Sequence, residues 1–162
     1  MRRLVLGSVA TISVLLWASP ALAAKPATFR YPFDVTFRDH TCGFAVRVHV
    51  SGMVVEIQRT DAQGNVVDFQ SYPTETQTAT NLETGTTVTN SLSGPQHGTI
   101  HPDGSSTIVG TGTWGWGFDP LTGDPGIFLT EGHFVYVIDA QGNGSVTSLV
   151  GRVVNLCPSL AG

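Results

Sequence analysis

The sequence predicts an all-β fold, an antiparallel barrel of about eight to ten strands, with a β-sandwich as the alternative. Apolar and polar residues alternate in short runs, turn residues recur every 8–12 positions, and no helical periodicity longer than one turn follows residue 23. Regular short strands joined by turns are typical of antiparallel barrels and sandwiches. With 162 residues in all, the chain is long enough for one domain.

The first 23 residues predict a secretory signal peptide. Arg2 and Arg3 precede an apolar run over residues 4–17, and Ala21 and Ala23 form a small-x-small cleavage site. The run is shorter than the roughly 20 residues that a membrane-spanning helix needs. We therefore expect a secreted, extracellular protein, or one of the cell envelope, without a membrane span. Residues 24–162 would form a single all-β domain.

The first strands of the mature chain are predicted by period-2 alternation. Residues 29–37 alternate apolar and polar side chains, and Pro32, which lacks an N–H, indicates an edge strand or a bulge. Residues 44–50 alternate in the same way after a turn. Two further runs, 53–59 and 66–72, flank a five-residue hairpin loop that contains glycine.

The loop sequence Asp-Ala-Gln-Gly-Asn occurs twice, at residues 61–65 and at residues 139–143. The repeat indicates either an internal duplication or the same turn chemistry used twice. Asn143 also begins a formal glycosylation sequon, which the turn preference of Asn-Gly explains equally well.

The middle and end of the chain continue the pattern of strands and turns. Threonine alternates over residues 74–80 and recurs at residues 86–89, which predicts exposed strands with little core material. Turns are predicted at 93–95 and 102–104, and the remaining strands at 106–116, 127–138 and 145–154.

The two cysteines of the chain, Cys42 and Cys157, allow one intramolecular disulfide. Export places them where disulfides persist, and a bridge would bring the Cα atoms within about 7 Å of each other. Because Cys42 follows the first strand and Cys157 follows the last, the bridge favours a sheet whose first and last strands are neighbours. This favours a closed barrel over a sandwich; two free, buried thiols are the alternative.

The glycine-rich segment at residues 110–119 carries the most distinctive side chains. In a strand, Trp114, Trp116 and Phe118 share one face, next to glycines that allow close approach of another backbone or a ligand. These three residues are the candidate ligand-binding site, either for a small apolar molecule or for a glycan. The alternative is that they fill the core of the barrel.

Other candidate constellations are weak. His97 and His101 have a metal-ligand spacing only on a helix, and on a strand they would lie about 13 Å apart. The acidic loop at 119–126 lacks the ligand order of a calcium loop. No nucleophile elbow, phosphate loop or cysteine–histidine pair is recognisable, so the sequence predicts no catalytic residue, no metal site and no cofactor.

Charge excludes one class of partner. Without residues 1–23 the chain has 6 basic and 12 acidic side chains, a net charge of −6. Nucleic-acid binding needs a basic surface, so we expect no nucleic-acid partner.

Three short motifs carry a resemblance to known proteins. They are Cys-Gly-Phe at residues 42–44, Gly-Thr-Gly-x-Trp at residues 110–114, and Gly-Arg-Val-x-x-Leu-Cys at residues 151–157. With these motifs the chain resembles a group of small exported all-β proteins of actinobacteria without an assigned function. The resemblance implies an exported all-β fold and no catalytic residues.

These observations favour a non-enzymatic exported β-barrel that binds a small apolar or glycan ligand through its aromatic face. One alternative is a small barrel enzyme of the cyclase or isomerase type. It would require Glu131, His133, Asp119 or His49 to converge in a pocket beside the aromatic residues. A purely structural envelope protein, with a fully packed barrel, is the third hypothesis.

Overall fold

A computed structural model describes residues 25–162, and the predicted signal peptide, residues 1–23, lies outside this part of the chain. The described chain is all-β and antiparallel, as predicted, and eight strands agree with the expected number. The strands are β1 (Ala27–Asp39), β2 (Val46–Thr60), β3 (Val66–Asn81), β4 (Thr87–Ser93), β5 (Gln96–Ile100), β6 (Ser106–Phe118), β7 (Pro125–Ile138) and β8 (Gly144–Asn155), followed by the helix α1 (Cys157–Ala161).

The strands form one meandering sheet in the order β1-β2-β3-β4-β6-β7-β8, and β5 pairs with β3 and β6. Pro32 lies on β1, an edge strand, which agrees with its lack of an N–H donor. Within residues 25–162, β1 and β8 are not paired with each other. The only helix of this part of the chain, α1, has five residues. It is not long and apolar enough to cross a bilayer.

The turn predicted at residues 93–95 is instead an interruption between two short strands, β4 and β5, which occupy the same position beside β3. β4 pairs with the C-terminal half of β3, and β5 pairs with its N-terminal half, so the two short strands follow each other along β3. Pro95 has no N–H for the ladder, and Gly94 has a φ of 146°. Both residues interrupt regular pairing without reversing the chain direction.

The β6–β7 hairpin folds sharply over itself. Trp116 is paired with Phe128, whereas Phe134 is paired with Gly110, six positions further along the hairpin. Six residues of a straight strand span about 20 Å, but the ring centroids of Trp116 and Phe134 are 5.2 Å apart. A strong bend must therefore lie between these two levels.

A row of glycines occupies this bend. Gly112 is opposite Gly132, and Gly132 is opposite Gly151. Their φ angles are 113°, 147° and 153°, in the region that residues with a Cβ atom rarely adopt. The row lets β6, β7 and β8 bend at the same level.

The sheet also curls across its strands. Phe37 of β1 and Trp114 of β6 line the same cavity. In a flat sheet these two strands, four positions apart, would be separated by about 19 Å. The side chains on the inner face of the curled sheet consequently meet those of distant strands, and this contact forms the hydrophobic core.

The core lies at the end of the sheet that carries the disulfide and α1. Leu160 of α1 is fully buried, and its carbonyl oxygen accepts a hydrogen bond of 3.0 Å from the Asn81 side chain. The predicted Cys42–Cys157 disulfide is present, with Cα atoms 5.2 Å apart. It ties the β1–β2 turn to the start of α1. The buried core residues are Val46, Val48, Ala79, Leu92, Ile127, Leu129, Leu156 and Leu160.

The two identical pentapeptides form the same turn, as their turn chemistry predicts. In each, the backbone N–H of the asparagine donates to the aspartate side chain, at 2.9 Å for Asp61 and 2.8 Å for Asp139. The pKa values of Asp61 and Asp139 are lowered, mainly by hydrogen bonds from the side chains of Asn65 and Asn143. Local turn chemistry accounts for the repeat, and an internal duplication stays a hypothesis.

Candidate functional site

The candidate site is a cavity of about 220 Å³ on the inner face of the curled sheet. Its walls come from β1, β2, β3, β4, β6 and β7. The curl of the sheet brings these strands together. On β6 four consecutive residues, 114–117, border the cavity. Alternation places Gly115 and Gly117 on the face of the core residue Leu129, and the side chains of the two tryptophans on the opposite face, with Phe128 and Thr130. The lining residues are Phe37, Asp39, Val48, Val50, Glu75, Gln77, Leu92, Trp114, Gly115, Trp116, Gly117 and Ile127.

Two of the three predicted ligand-binding residues line this cavity. Trp114 and Trp116 are half-buried, and both lie on the cavity wall. Phe118 does not line the cavity; it lies in a shallow surface groove beside the turn at residues 119–123. The pairing register shifts after Trp116, but the ring of Phe118 stays in edge-to-face contact with that of Trp116, with centroids 5.7 Å apart.

The two indoles also belong to a packed aromatic cluster. Both contact the ring of Phe134, which is 2% exposed, in edge-to-face geometry, with centroid distances of 5.4 Å from Trp114 and 5.2 Å from Trp116. Trp116 Nε1 donates a 2.9 Å hydrogen bond to Thr130 Oγ1. Trp114 Nε1 donates to the carbonyl oxygen of Thr111 at 3.2 Å. Packing and hydrogen bonds hold both rings in this cluster, on the face of β6 opposite Gly115, so the two residues border the cavity while their rings pack against Phe134.

Three polar residues interrupt the apolar lining. Asp39 accepts hydrogen bonds from the backbone N–H and the hydroxyl of Thr41. Gln77 is 4% exposed, and its Oε1 has no hydrogen-bond partner within residues 25–162. The Cβ of any larger residue at position 115 would lie 3.0 Å from this oxygen, so Gly115 makes room for the Gln77 amide. An unpaired buried acceptor is unfavourable, which makes Gln77 a conspicuous feature of the wall.

Glu75 is the ionisable group whose environment is most perturbed in this cavity. Burial is the cause that raises the pKa of its carboxyl group. Its carboxylate takes part in none of the ion pairs of residues 25–162. The side chain is half-buried and faces a wall that contains no basic residue. A carboxylate that burial disfavours and no cation stabilises is suited to meet a ligand or to exchange a proton.

The Glu75→Gln variant should be more stable than the parent protein at neutral pH. Burial raises the carboxyl pKa in the folded state, so the folded protein disfavours the ionised form. The contribution of Glu75 to stability is then greatest below about pH 4 and is lost as the pH rises through the raised pKa. We expect a Tm increase of no more than a few degrees at pH 7, which disappears toward pH 4.

Thermal unfolding of both proteins between pH 4 and pH 7 measures this difference. Glu131→Gln is the matched control, because Glu131 is exposed and forms a 2.8 Å ion pair with Arg152 away from the cavity. Parallel Tm profiles for Glu75→Gln and the parent would show that Glu75 ionises freely in the folded protein.

The acid and base residues that an enzymatic site would require do not converge. His49 lies 3.3 Å from Asp34 on the outer face, and Glu131 is paired with Arg152. None of His49, Glu131, His133 and Asp119 lines the cavity. The converging site considered from the sequence is therefore absent from this cavity. The four residues occupy separate places: His49 in an outer groove of β1–β3, His133 in a groove beside His97, Asp119 in the β6–β7 turn, and Glu131 at the β7–β8 surface.

The remaining histidine candidates also have separate partners. His97 contacts Asp68, which also lies 3.3 Å from Arg59. His101 lies 3.0 Å from the Thr107 hydroxyl. Among the described residues, no group of three histidine, cysteine, aspartate or glutamate side chains is placed to hold a metal ion.

Sequence reasoning missed Glu75 and Gln77. They alternate with the threonines of residues 74–80, so the outward threonine pattern already placed them on the opposite, inner face. The signal was the presence of two polar residues at positions that alternation assigns to the core. Alternation does not predict that these positions line a cavity, because the cavity forms only when the sheet curls.

Comparison with protein-family models, with curated proteins and with solved structures found no match.

Proposed function

We propose that the protein is an exported binding protein that holds a small apolar molecule in the cavity lined by Trp114 and Trp116. The observation that carries this proposal is the cavity itself, about 220 Å³ in volume and walled mainly by apolar side chains from six strands. An apolar cavity of about 150 Å³ is already large enough to bind benzene. The ligand is therefore a molecule with about one ring or a short chain.

We propose further that the curled sheet is a barrel left open between β1 and β8. The meandering strand order, the cavity shared by β1 and β6, and the disulfide that links the two ends of the sheet all support this arrangement. A barrel of about eight strands has an interior that either fills with side chains or holds one small ligand.

The glycines of the cavity wall favour binding over a purely structural role. Protein interiors are close-packed and contain few voids larger than a water molecule. Gly115 and Gly117 both line the cavity, and a Cβ atom at Gly117 would meet no atom within 4 Å. The space in front of Gly117 is therefore not filled by protein atoms, and the proposed ligand would occupy it.

Tryptophan fluorescence tests the proposal directly. Two of the three tryptophans of the chain line the cavity, and the third, Trp17, belongs to the predicted signal peptide. Titration with one-ring aromatics, short-chain lipids and oligosaccharides should shift the emission with an apolar ligand, with Kd values in the micromolar to millimolar range.

A pair of variants locates the binding event. Val50→Phe places a larger side chain in the cavity and should weaken binding, whereas Val150→Phe changes a residue that is 70% exposed and outside the cavity. Equal titration curves for the two variants, or no emission shift with any apolar compound, would reject the proposed function. A response to oligosaccharides alone would identify the glycan alternative instead.

A small barrel enzyme of the cyclase or isomerase type is the second candidate function. Glu75 favours it, because a raised carboxyl pKa in an apolar cavity suits a general acid or base. Ligands from the fluorescence panel should then be converted by the protein and recovered as products in mass spectrometry. Conversion by the parent but not by Glu75→Gln would establish the enzyme, and recovery of unchanged ligands would favour binding alone.

A further inference from the structure

The cavity contains ionisable groups of one sign. Asp39 and Glu75 line it, and no arginine, lysine or histidine does. Tyr31, whose phenol donates to Glu56 at 3.2 Å, lies close enough to Glu75 that the charge of Glu75 helps to raise the pKa of the phenol. The main cause of that raised pKa is burial. The surroundings of the cavity are therefore acidic and lack a counter-cation.

Two further features of the cavity wall favour a positively charged ligand. Gln77 lines the cavity, is more than nine-tenths buried, and has an amide oxygen without a hydrogen-bond partner within residues 25–162. Phe37, which lies opposite the core residue Val48, is an aromatic residue of the wall, and aromatic rings attract cations. A protonated amine would thus meet a carboxylate, an amide acceptor and an aromatic ring in one space.

We propose that the cavity selects small aromatic or alkyl amines, with Glu75 as the counter-ion of the ligand's ammonium group. The proposal rests on the proposed binding function and names its ligand class. A bound ammonium group supplies the opposite charge that Glu75 lacks, and its N–H groups can donate to both Glu75 and Gln77. The apolar part of the ligand occupies the space between Val48, Val50 and Leu92.

A matched series of four ligands tests the proposal. 2-Phenylethylamine, 2-phenylethanol, 3-phenylpropanoate and ethylbenzene share a phenyl ring and differ in the group that meets Glu75. At pH 7 we expect the amine to bind about tenfold more tightly than the alcohol, because a charge-assisted hydrogen bond is about twice as strong as a neutral one. The carboxylate should bind most weakly, since it brings a second negative charge into the cavity.

Glu75→Gln should remove the preference by lowering affinity for the amine to that for the alcohol, while affinity for the alcohol and for ethylbenzene stays unchanged. Glu131→Gln, at an exposed ion pair, should retain the preference. Equal affinity for all four ligands, or a preference for the amine that survives Glu75→Gln, would overturn the assignment of Glu75 and leave the cavity as an apolar site. Failure of all four ligands to bind would count against both the ligand class and the proposed function.

Discussion

Reduction of the Cys42–Cys157 disulfide should lower the Tm of the protein by about 10–20 °C. The two cysteines are 115 residues apart in the sequence, so the bridge closes a long loop and removes many conformations from the unfolded chain. The chain-entropy model assigns about 4–5 kcal/mol to a loop of this length. Differential scanning calorimetry with and without a phosphine reductant measures the change.

The loss of local stability in the reduced protein should be greatest at the two edges of the sheet. Among residues 25–162, β1 and β8 have no strand-pairing partner on their outer edges, and the disulfide ties the turn after β1 to the residue that begins α1. In the reduced protein, amide hydrogen exchange should therefore accelerate most in β1 and α1. A Cys42→Ser/Cys157→Ser double variant is the control and should unfold at the same temperature in either buffer. A reductant-insensitive Tm in the parent protein would contradict the prediction.

Gly112→Ala should destabilise the protein by at least about 2 kcal/mol. Gly112 has a φ of 113°, and a Cβ atom there would lie 2.2 Å from the carbonyl oxygen of Ser93. The obstructing atom belongs to the backbone of a neighbouring strand, so it cannot move aside as the end of a side chain can. We expect a lower urea midpoint, because β6 must either straighten at the bend or separate from β4.

Two glycine variants separate the causes of this effect. Gly104→Ala has a similar conformational constraint, with a φ of 85°, but no atom within 4 Å of the added Cβ atom. It should show only the smaller cost of the positive φ, about 1 kcal/mol. Gly117→Ala has neither constraint and should be nearly neutral. A Gly112→Ala protein as stable as Gly117→Ala would show that the bend does not depend on glycine.

Strand positions and turns were predictable because they depend on local chemistry. Alternation in residues 29–37 and 44–50 predicts the paired strands β1 and β2, and the two Asp-Ala-Gln-Gly-Asn loops form the expected turns. The disulfide was predictable as well, since the chain has only two cysteines. Each of these features needs information from only a few residues or from a simple count.

The bend and the candidate site depended on residues far apart in the sequence. Gly94 and Pro95 are typical turn residues, yet here they separate β4 from β5 along the same side of β3. Phe118 shares alternation with the two tryptophans and contacts the ring of Trp116, yet it does not line the cavity. Local patterns identify the faces of a strand, and they do not say where a strand bends.

Alternation, turn residues and cysteine number by themselves determined an antiparallel all-β chain stapled by one disulfide. They also placed Glu75 and Gln77 on the side of β3 opposite the threonines. Only the tertiary structure decided that this side encloses a cavity, because a sheet twists and curls through the sum of many small strand rotations. The curl brings β1 and β6 together around the cavity that Glu75 lines, and the glycine row folds β6 and β7 so that the two tryptophans pack against Phe134.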